Sequence, residues 1–341
     1  MLAAVDLGFG LSYMWIHDNV ERISLSRPFS TVMELGDGYG GEISRALLLL
    51  SMRTSRSIYR SQLRISINGF NISRVAKPAS ELFFKNQYHS IFIYDLMPIR
   101  DRISGRAELE IESRDLEILV DGIAIIATYS IDSLREARCF NTLHTGPYIL
   151  SGGEKIHIKA RRQKGGEMIF RAVALPHRRA NITLSLEQSR FEKTFSVDGI
   201  SEIFVRYIEP DSDGDEDIVI SLRCVEGECL AKIPWILVTS TSIKGPNYIL
   251  KEAFLSDSMR ELIIEFENTG DLDAGELCAI ALWRGSIVGR TIARPSKRGR
   301  IAVPLNMRIP PDSLRNTGQN KLTARITWNW LGRTEETSTP Q

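Results

Sequence analysis

Gly146-Pro147-Tyr148-Ile149-Leu150 and Gly245-Pro246-Asn247-Tyr248-Ile249-Leu250 are one phrase written twice, 99 residues apart (245 − 146). That offset is about the length of one small β-sandwich module. Gly-Pro turns and stiffens the chain, and the Tyr-Ile-Leu behind it reads as the first strand of a new domain. Working outward from the two copies, the 341 residues divide into three blocks: 1–145, 146–244 and 245–341. Each is of ordinary domain size.

The second and third blocks can be laid side by side. Lys-Ile-His-Ile-Lys-Ala (155–160), a polar turn and Glu-Met-Ile-Phe-Arg-Ala-Val-Ala-Leu (167–175) correspond to Glu-Leu-Ile-Ile-Glu-Phe-Glu-Asn (261–268), a polar turn and Gly-Glu-Leu-Cys-Ala-Ile-Ala-Leu-Trp (275–283). A Pro-Asp-Ser later in each, at 210–212 and 311–313, precedes an alternating strand. Two landmarks in the same order point to a tandem duplication.

The first block is also strand-rich. Ala-Leu-Leu-Leu-Leu-Ser-Met (46–52) reads as a buried strand, and Leu63, Ile65 and Ile67 alternate up to the hairpin signal Asn68-Gly69. Ala107, Leu109 and Ile111 alternate with Glu108, Glu110 and Glu112. Period-2 patterning of this kind makes half-buried antiparallel strands. Residues 79–84 and 133–138 are the two short stretches that read as helical, the second behind Asp132 as a cap.

Two resemblances follow from these residues. The order of an apolar strand, Leu-Arg-Ile-Ser-Ile-Asn-Gly (63–69), Ile-Tyr-Asp-Leu (93–96), Ala-Glu-Leu-Glu-Ile-Glu (107–112) and Val-Asp-Gly-Ile-Ala-Ile-Ile-Ala-Thr-Tyr (120–129) resembles the jelly-roll, galactose-binding-like domains of surface and carbohydrate-associated proteins. Ile-Ile-Glu-Phe-Glu-Asn-Thr-Gly-Asp-Leu-Asp-Ala-Gly-Glu-Leu (263–277) is similar to the CARDB-type, immunoglobulin-like domains of prokaryotic surface proteins. The first likeness implies a sandwich that in some members binds sugars. The second implies a repeated spacer or adhesion module without catalytic residues. The fold class expected is therefore all-β, a multidomain β-sandwich: a jelly-roll-like domain and two immunoglobulin-like ones.

Composition narrows the rest. Net charge is +1, which gives no global attraction to nucleic acid or anionic membrane. No apolar run approaches the roughly 18–20 residues of a membrane helix, and the N-terminus carries no basic start with an apolar h-region. Of 43 basic residues 32 are Arg, and Gln occurs six times, a bias that suits a thermophilic source and that genome base composition alone also produces. Cys224 and Cys229 bracket Val-Glu-Gly-Glu between two strand-like runs, where a cross-strand disulfide or two reduced thiols would sit. A disulfide implies an oxidising compartment or a hyperthermophile interior.

Candidate chemistry is thin. Asp211, Asp213, Asp215 and Asp217 crowd around Gly214, an oxygen-rich loop of the kind hard calcium ions favour, although the spacing is not that of an EF-hand. The competing reading is a solvated hairpin loop, and no other cofactor is implied. Asp6-Leu7-Gly8-Phe9-Gly10 resembles the first phosphate loop of actin-like ATPases, but that fold needs a parallel sheet covered by helices, so an edge strand and turn are expected. His17, His89, His144, His157 and His177 show no metal spacing, and no Gly-x-Ser-x-Gly occurs. The basic residues Arg161, Arg162, Arg178 and Arg179 read as solvated loops. Asn71 and Asn181 open glycosylation sequons.

These readings together lead us to expect a non-catalytic extracellular or cell-surface structural or adhesion protein, with itself or a surface protein or glycan as partner. Two alternatives stay open. One is a subunit of a surface filament, layer or virion, with residues 1–14 as a donor strand. The other is a carbohydrate-binding or carbohydrate-active protein.

Overall fold

The computed structural model describes the chain apart from residues 1–2, 8–10, 18, 25–26, 35–41, 74–76, 104, 131–138, 209–213, 307–321, 331–332 and 339–341. The described residues are all-β, arranged in six antiparallel sheets, and they form two compact units, Met1–Ser242 and Ile243–Gln341.

The first unit opens with β1 (Ala3–Asp6), β2 (Leu11–His17), β3 (Glu21–Ile23), β4 (Phe29–Glu34), β5 (Glu42–Thr54), β6 (Leu63–Ile67), β7 (Phe70–Asn71), β8 (Ser80–Phe84), β9 (Gln87–Asp95), β10 (Arg106–Ser113) and β11 (Ile118–Ser130). One sheet runs β2-β11-β5-β9-β8, with β3 also on β11, and the facing sheet runs β4-β10-β6-β7. This interleaving of two sheets is a jelly-roll order. On β10 the alternation Ala107, Leu109, Ile111 points inward, as its period-2 pattern requires. Asn68 and Gly69 both adopt positive φ (47° and 75°) between β6 and β7, the geometry that makes Asn-Gly a hairpin signal.

Residues 80–84, expected to be helical, are strand β8. Lys85 and Asn86 at φ 48° and 61° close a two-residue hairpin that pairs the segment with β9, and ladder pairing overrides a weak local helical period. The other expected helix, 133–138, lies outside the described residues.

The unit continues with β12 (Cys139–Ser151), β13 (Lys155–Arg162), β14 (Glu167–Pro176), β15 (Ala180–Leu186), β16 (Phe191–Val197), β17 (Ser201–Ile208), β18 (Gly214–Cys224) and β19 (Leu230–Thr241). The sheets are β12-β19-β14-β17, with β1 added beside β12, and β13-β18-β15-β16. Eight strands in this order form a second jelly roll rather than the expected immunoglobulin-like sandwich. Its first two strands fall in opposite sheets, whereas an immunoglobulin-type sandwich places them side by side.

Gly146-Pro147 does not open a strand. β12 already begins at Cys139, and the Gly-Pro is a bulge within it. Thr145 pairs with Trp235 and Tyr148 with Ile233, so Gly146 and Pro147 together oppose Pro234. Neither proline has an N–H for the ladder, and a bulge is how a sheet interior accommodates that loss.

β5 and β11 carry apolar residues on both faces. Leu48, Leu50, Met52, Ile123 and Ile125 face the core of the first sandwich. Leu47, Leu49, Ala124 and Ile126 face outward, onto Leu143, Val173, Trp235 and Leu237 of the second sandwich. The two jelly rolls are thus joined face to face by a third apolar core. Each fully buried Leu or Ile there contributes on the order of 1.5–3 kcal/mol.

Within the donor-strand candidate 1–14, Ala3–Asp6 and residues 11–14 are paired within their own chain. Ala3–Asp6 adds to β12 as an edge strand, and β2 lies on β11.

The second unit holds β20 (Tyr248–Leu255), β21 (Glu261–Asn268), β22 (Leu277–Trp283), β23 (Ser286–Ala293), β24 (Arg298–Pro304), β25 (Leu322–Trp330) and β26 (Arg333–Ser338). Sheets β20-β21-β24 and β23-β22-β25-β26 give an immunoglobulin-like sandwich. The second Gly-Pro does precede a first strand here. Its loop packs on the Asn-Thr-Gly turn: a Cβ on Gly270 would lie 2.0 Å from the Gly245 carbonyl oxygen. Asn268 Oδ1 accepts from the backbone N–H of Asn247 (3.0 Å) and Gly270 (2.9 Å). Tyr248, 1 % exposed, meets Phe266 and Trp328 edge-on in the core. β13 and β18 of the second sandwich pair with each other, while their sequence counterparts β21 and β25 lie in opposite sheets, so the two modules share landmarks but not topology.

Candidate functional site

The chemistry-bearing residues of the first unit meet where the two jelly rolls face each other. Asp121 on β11 is the extra residue of a bulge: Val120 pairs with Met52 and Gly122 with Ser51, leaving Asp121 without a counterpart on β5. The bulge turns Asp121 away from the first core toward the second sandwich. Gly122 is required beside it, because a Cβ there would lie 2.8 Å from the Trp235 ring.

Lys232 on β19 reaches across from the second sandwich. Its Nζ donates to both Asp121 oxygens at 3.0 Å. Ser51 Oγ donates to Oδ1 at 2.6 Å, and Arg53 Nε lies 2.8 Å from Oδ2. Asp121 is 1 % exposed and Lys232 6 %. Burial alone would raise the Asp121 carboxyl, but Lys232, Arg53 and the Ser51 hydroxyl outweigh it and hold it below its ordinary range. Burial pulls the Lys232 ammonium below its usual value, with Asp121 opposing the shift.

His89 on β9 pairs with Arg53 across the ladder and is 7 % exposed. Its Nδ1 is buried without a hydrogen-bond partner. Burial, reinforced by Lys232, lowers its pKa to about 4, so the ring is neutral at pH 7. Beside this cluster opens a cleft of about 320 Å³ between the two jelly rolls. Arg53, Asp121 and Lys232 form its floor, Phe84, Lys85 and Gln87 of the β8–β9 hairpin one side, and Leu175, Pro176, His177 and Ile200 the other.

The residues singled out from sequence lie elsewhere. Asp211 and Asp213 are outside the described residues. Asp215 and Asp217 belong to β18, paired with Arg161 and Lys159. Asp217 bonds to Gln188, and Glu216, the buried acid among the described residues of the run, accepts from Ser189 at 2.7 Å and lies 3.6 Å from Arg162. No group of three metal-capable side chains occurs among the described residues. Cys224 and Cys229 are joined as a disulfide with Cα atoms 5.4 Å apart. Asn71 is exposed on β7, and Asn181 is half-buried on β15. His157 points outward from β13, His17 lies 3.6 Å from Glu21, and His144 is buried on β12.

Sequence reasoning missed Asp121, Lys232, Arg53 and His89. Asp-Gly is a common turn dipeptide, but Asp121-Gly122 is a bulge in a 13-residue strand. A usable signal was present in Lys232, the one charge of its strand and directly before the apolar run Ile-Pro-Trp-Ile-Leu-Val.

No family model matches the chain, and no curated protein matches it. Among solved structures it is similar to a β-glucuronidase of Ruminococcus gnavus (10 % identity, TM-score 0.21, covering 62 % of this chain and 37 % of that one). It is also similar to PNGase F, a glycosylasparaginase from Flavobacterium meningosepticum (8 % identity, TM-score 0.25, covering 72 % and 97 %). A third is the glycoside hydrolase domain of Endo-D from Streptococcus pneumoniae R6 (9 % identity, TM-score 0.18, covering 58 % and 33 %). The chain thus spans about a third of the length of the glucuronidase and Endo-D structures. Likenesses this loose carry no argument about activity.

Proposed function

We propose that this protein is a non-catalytic structural or adhesive component of a cell surface or extracellular assembly, with its fused jelly rolls as the rigid part. The observation that supports the reading is the saturation of Asp121. Both carboxylate oxygens are taken by Lys232, Arg53 and Ser51, and the group is held ionised. A carboxylate so engaged is a poor general acid and a poor nucleophile, and serves instead as an inter-sandwich clamp. His89, neutral and without a nucleophile paired to it, offers no triad. The Cys224–Cys229 disulfide is consistent with an oxidising location.

The test is protease treatment of intact source cells combined with thiol labelling before and after reduction. Release of its peptides from unbroken cells, with Cys224 and Cys229 labelled only after reduction, is the expected result. Peptides protected until lysis, with both thiols free, would overturn the location. Turnover of glycoside or amide substrates that is lost in Asp121→Asn would overturn the non-catalytic reading.

A further inference from the structure

We infer that the cleft between the two jelly rolls binds a small organic carboxylate with an apolar body. Three observations carry this. First, the charges lining the cleft do not cancel. Arg53, Lys85 and Lys232 stand against Asp121 alone, a formal surplus of two positive charges before any histidine is counted. An anion entering it gains from that surplus in a partly desolvated setting.

Second, the floor holds an unsatisfied polar group. His89 is more than nine-tenths buried, lines the cleft, and has no partner for Nδ1. A buried polar atom left unpaired costs about 1–3 kcal/mol, which a ligand group can recover. Third, most of the remaining lining is apolar: Phe84 at the lip, with Ile149, Leu175, Ile200 and Leu230, while Gln87 and His177 add polar edges. Lys85 stays beside that lip, its Nζ 5.9 Å from the Phe84 ring centre. A site of about 320 Å³ lies in the range that holds small ligands, and mixed apolar walls with a few convergent polar groups are their usual lining. The inference is independent of the location and role proposed above.

Titration calorimetry on the full chain tests it with 3-phenylpropionate, 3-phenylpropanol and acetate. The acid should bind saturably and at least about tenfold more tightly than either the alcohol, which lacks the charge, or acetate, which lacks the body. Lys85→Glu, an exposed change on a hairpin, should weaken the acid about tenfold or more and leave the melting temperature unchanged. His89→Leu should weaken it as well, with the fold checked by circular dichroism. Equal binding of acid and alcohol, indifference to Lys85→Glu, or no saturable binding of any probe at millimolar concentration would overturn the inference.

Discussion

Lys232→Met is the most informative single change, because it removes one end of a clamp while keeping most of the side-chain volume. In the native protein Asp121 is contacted by Lys232 at 3.0 Å through both oxygens and by Arg53 at 2.8 Å. Removing one member of a buried ion pair costs about 3–5 kcal/mol, since the remaining charge stays buried. Arg53 is about one-third exposed and keeps hold of one oxygen, so the loss should fall near the lower end, about 3 kcal/mol. Asp121→Asn should cost about as much, because it leaves Lys232 buried beside Arg53. The double variant removes both buried charges and should cost clearly less than the sum, with a coupling of about 2 kcal/mol or more. Hydrogen exchange read by mass spectrometry on the full chain is the assay. Protection should fall in β11 and β19, while β22 of the second unit serves as an unaffected internal reference. A loss below about 1 kcal/mol for Lys232→Met, or costs that simply add in the double variant, would refute the clamp.

Three further outcomes follow from the same geometry. Acid should loosen the first unit in two stages. His89 titrates near 4 when folded against 6.5 in the free side chain, so the unfolded state binds more protons and stability falls as pH drops from about 6.5 to 4. Asp121, also depressed, adds a loss below the ordinary carboxylate range. Denaturant midpoints across pH 3–8 should show both, with His89→Leu removing the first. Gly270→Ala should destabilise the second unit by more than about 2 kcal/mol, because its Cβ would collide with the Gly245 carbonyl oxygen, while exchange in β11 stays unchanged. Replacing Cys224 and Cys229 with Ser opens a loop of sequence separation 5, and the chain-entropy relation gives a loss of about 2 kcal/mol in urea unfolding. Wild type under reducing conditions should match that double variant.

Much of the fold was legible because its signals are local. The alternation on β10 and the Asn68-Gly69 turn placed antiparallel strands without reference to any partner. Cys224 and Cys229 stood across a short turn in the sequence and do so in space. The candidate site was not legible. Asp121 and Lys232 are 111 residues apart and belong to different sandwiches, and the acidic run around Gly214 drew notice only because its residues are neighbours in sequence.

By itself, the sequence determined that the chain is all-β and placed its clearly alternating strands, though not β8, because a strand's period of two is written in consecutive residues. Only the tertiary structure decided how those strands are wired. Gly146-Pro147 looks the same as Gly245-Pro246 in one dimension. The first is a bulge opposite Pro234 in a sheet interior, and the second leads into the opening strand of a separate sandwich. What separates them is the strand that pairs alongside, and that pairing is settled by which apolar faces are buried together: the outer faces of β5 and β11 on the second jelly roll, and Tyr248 within its own core.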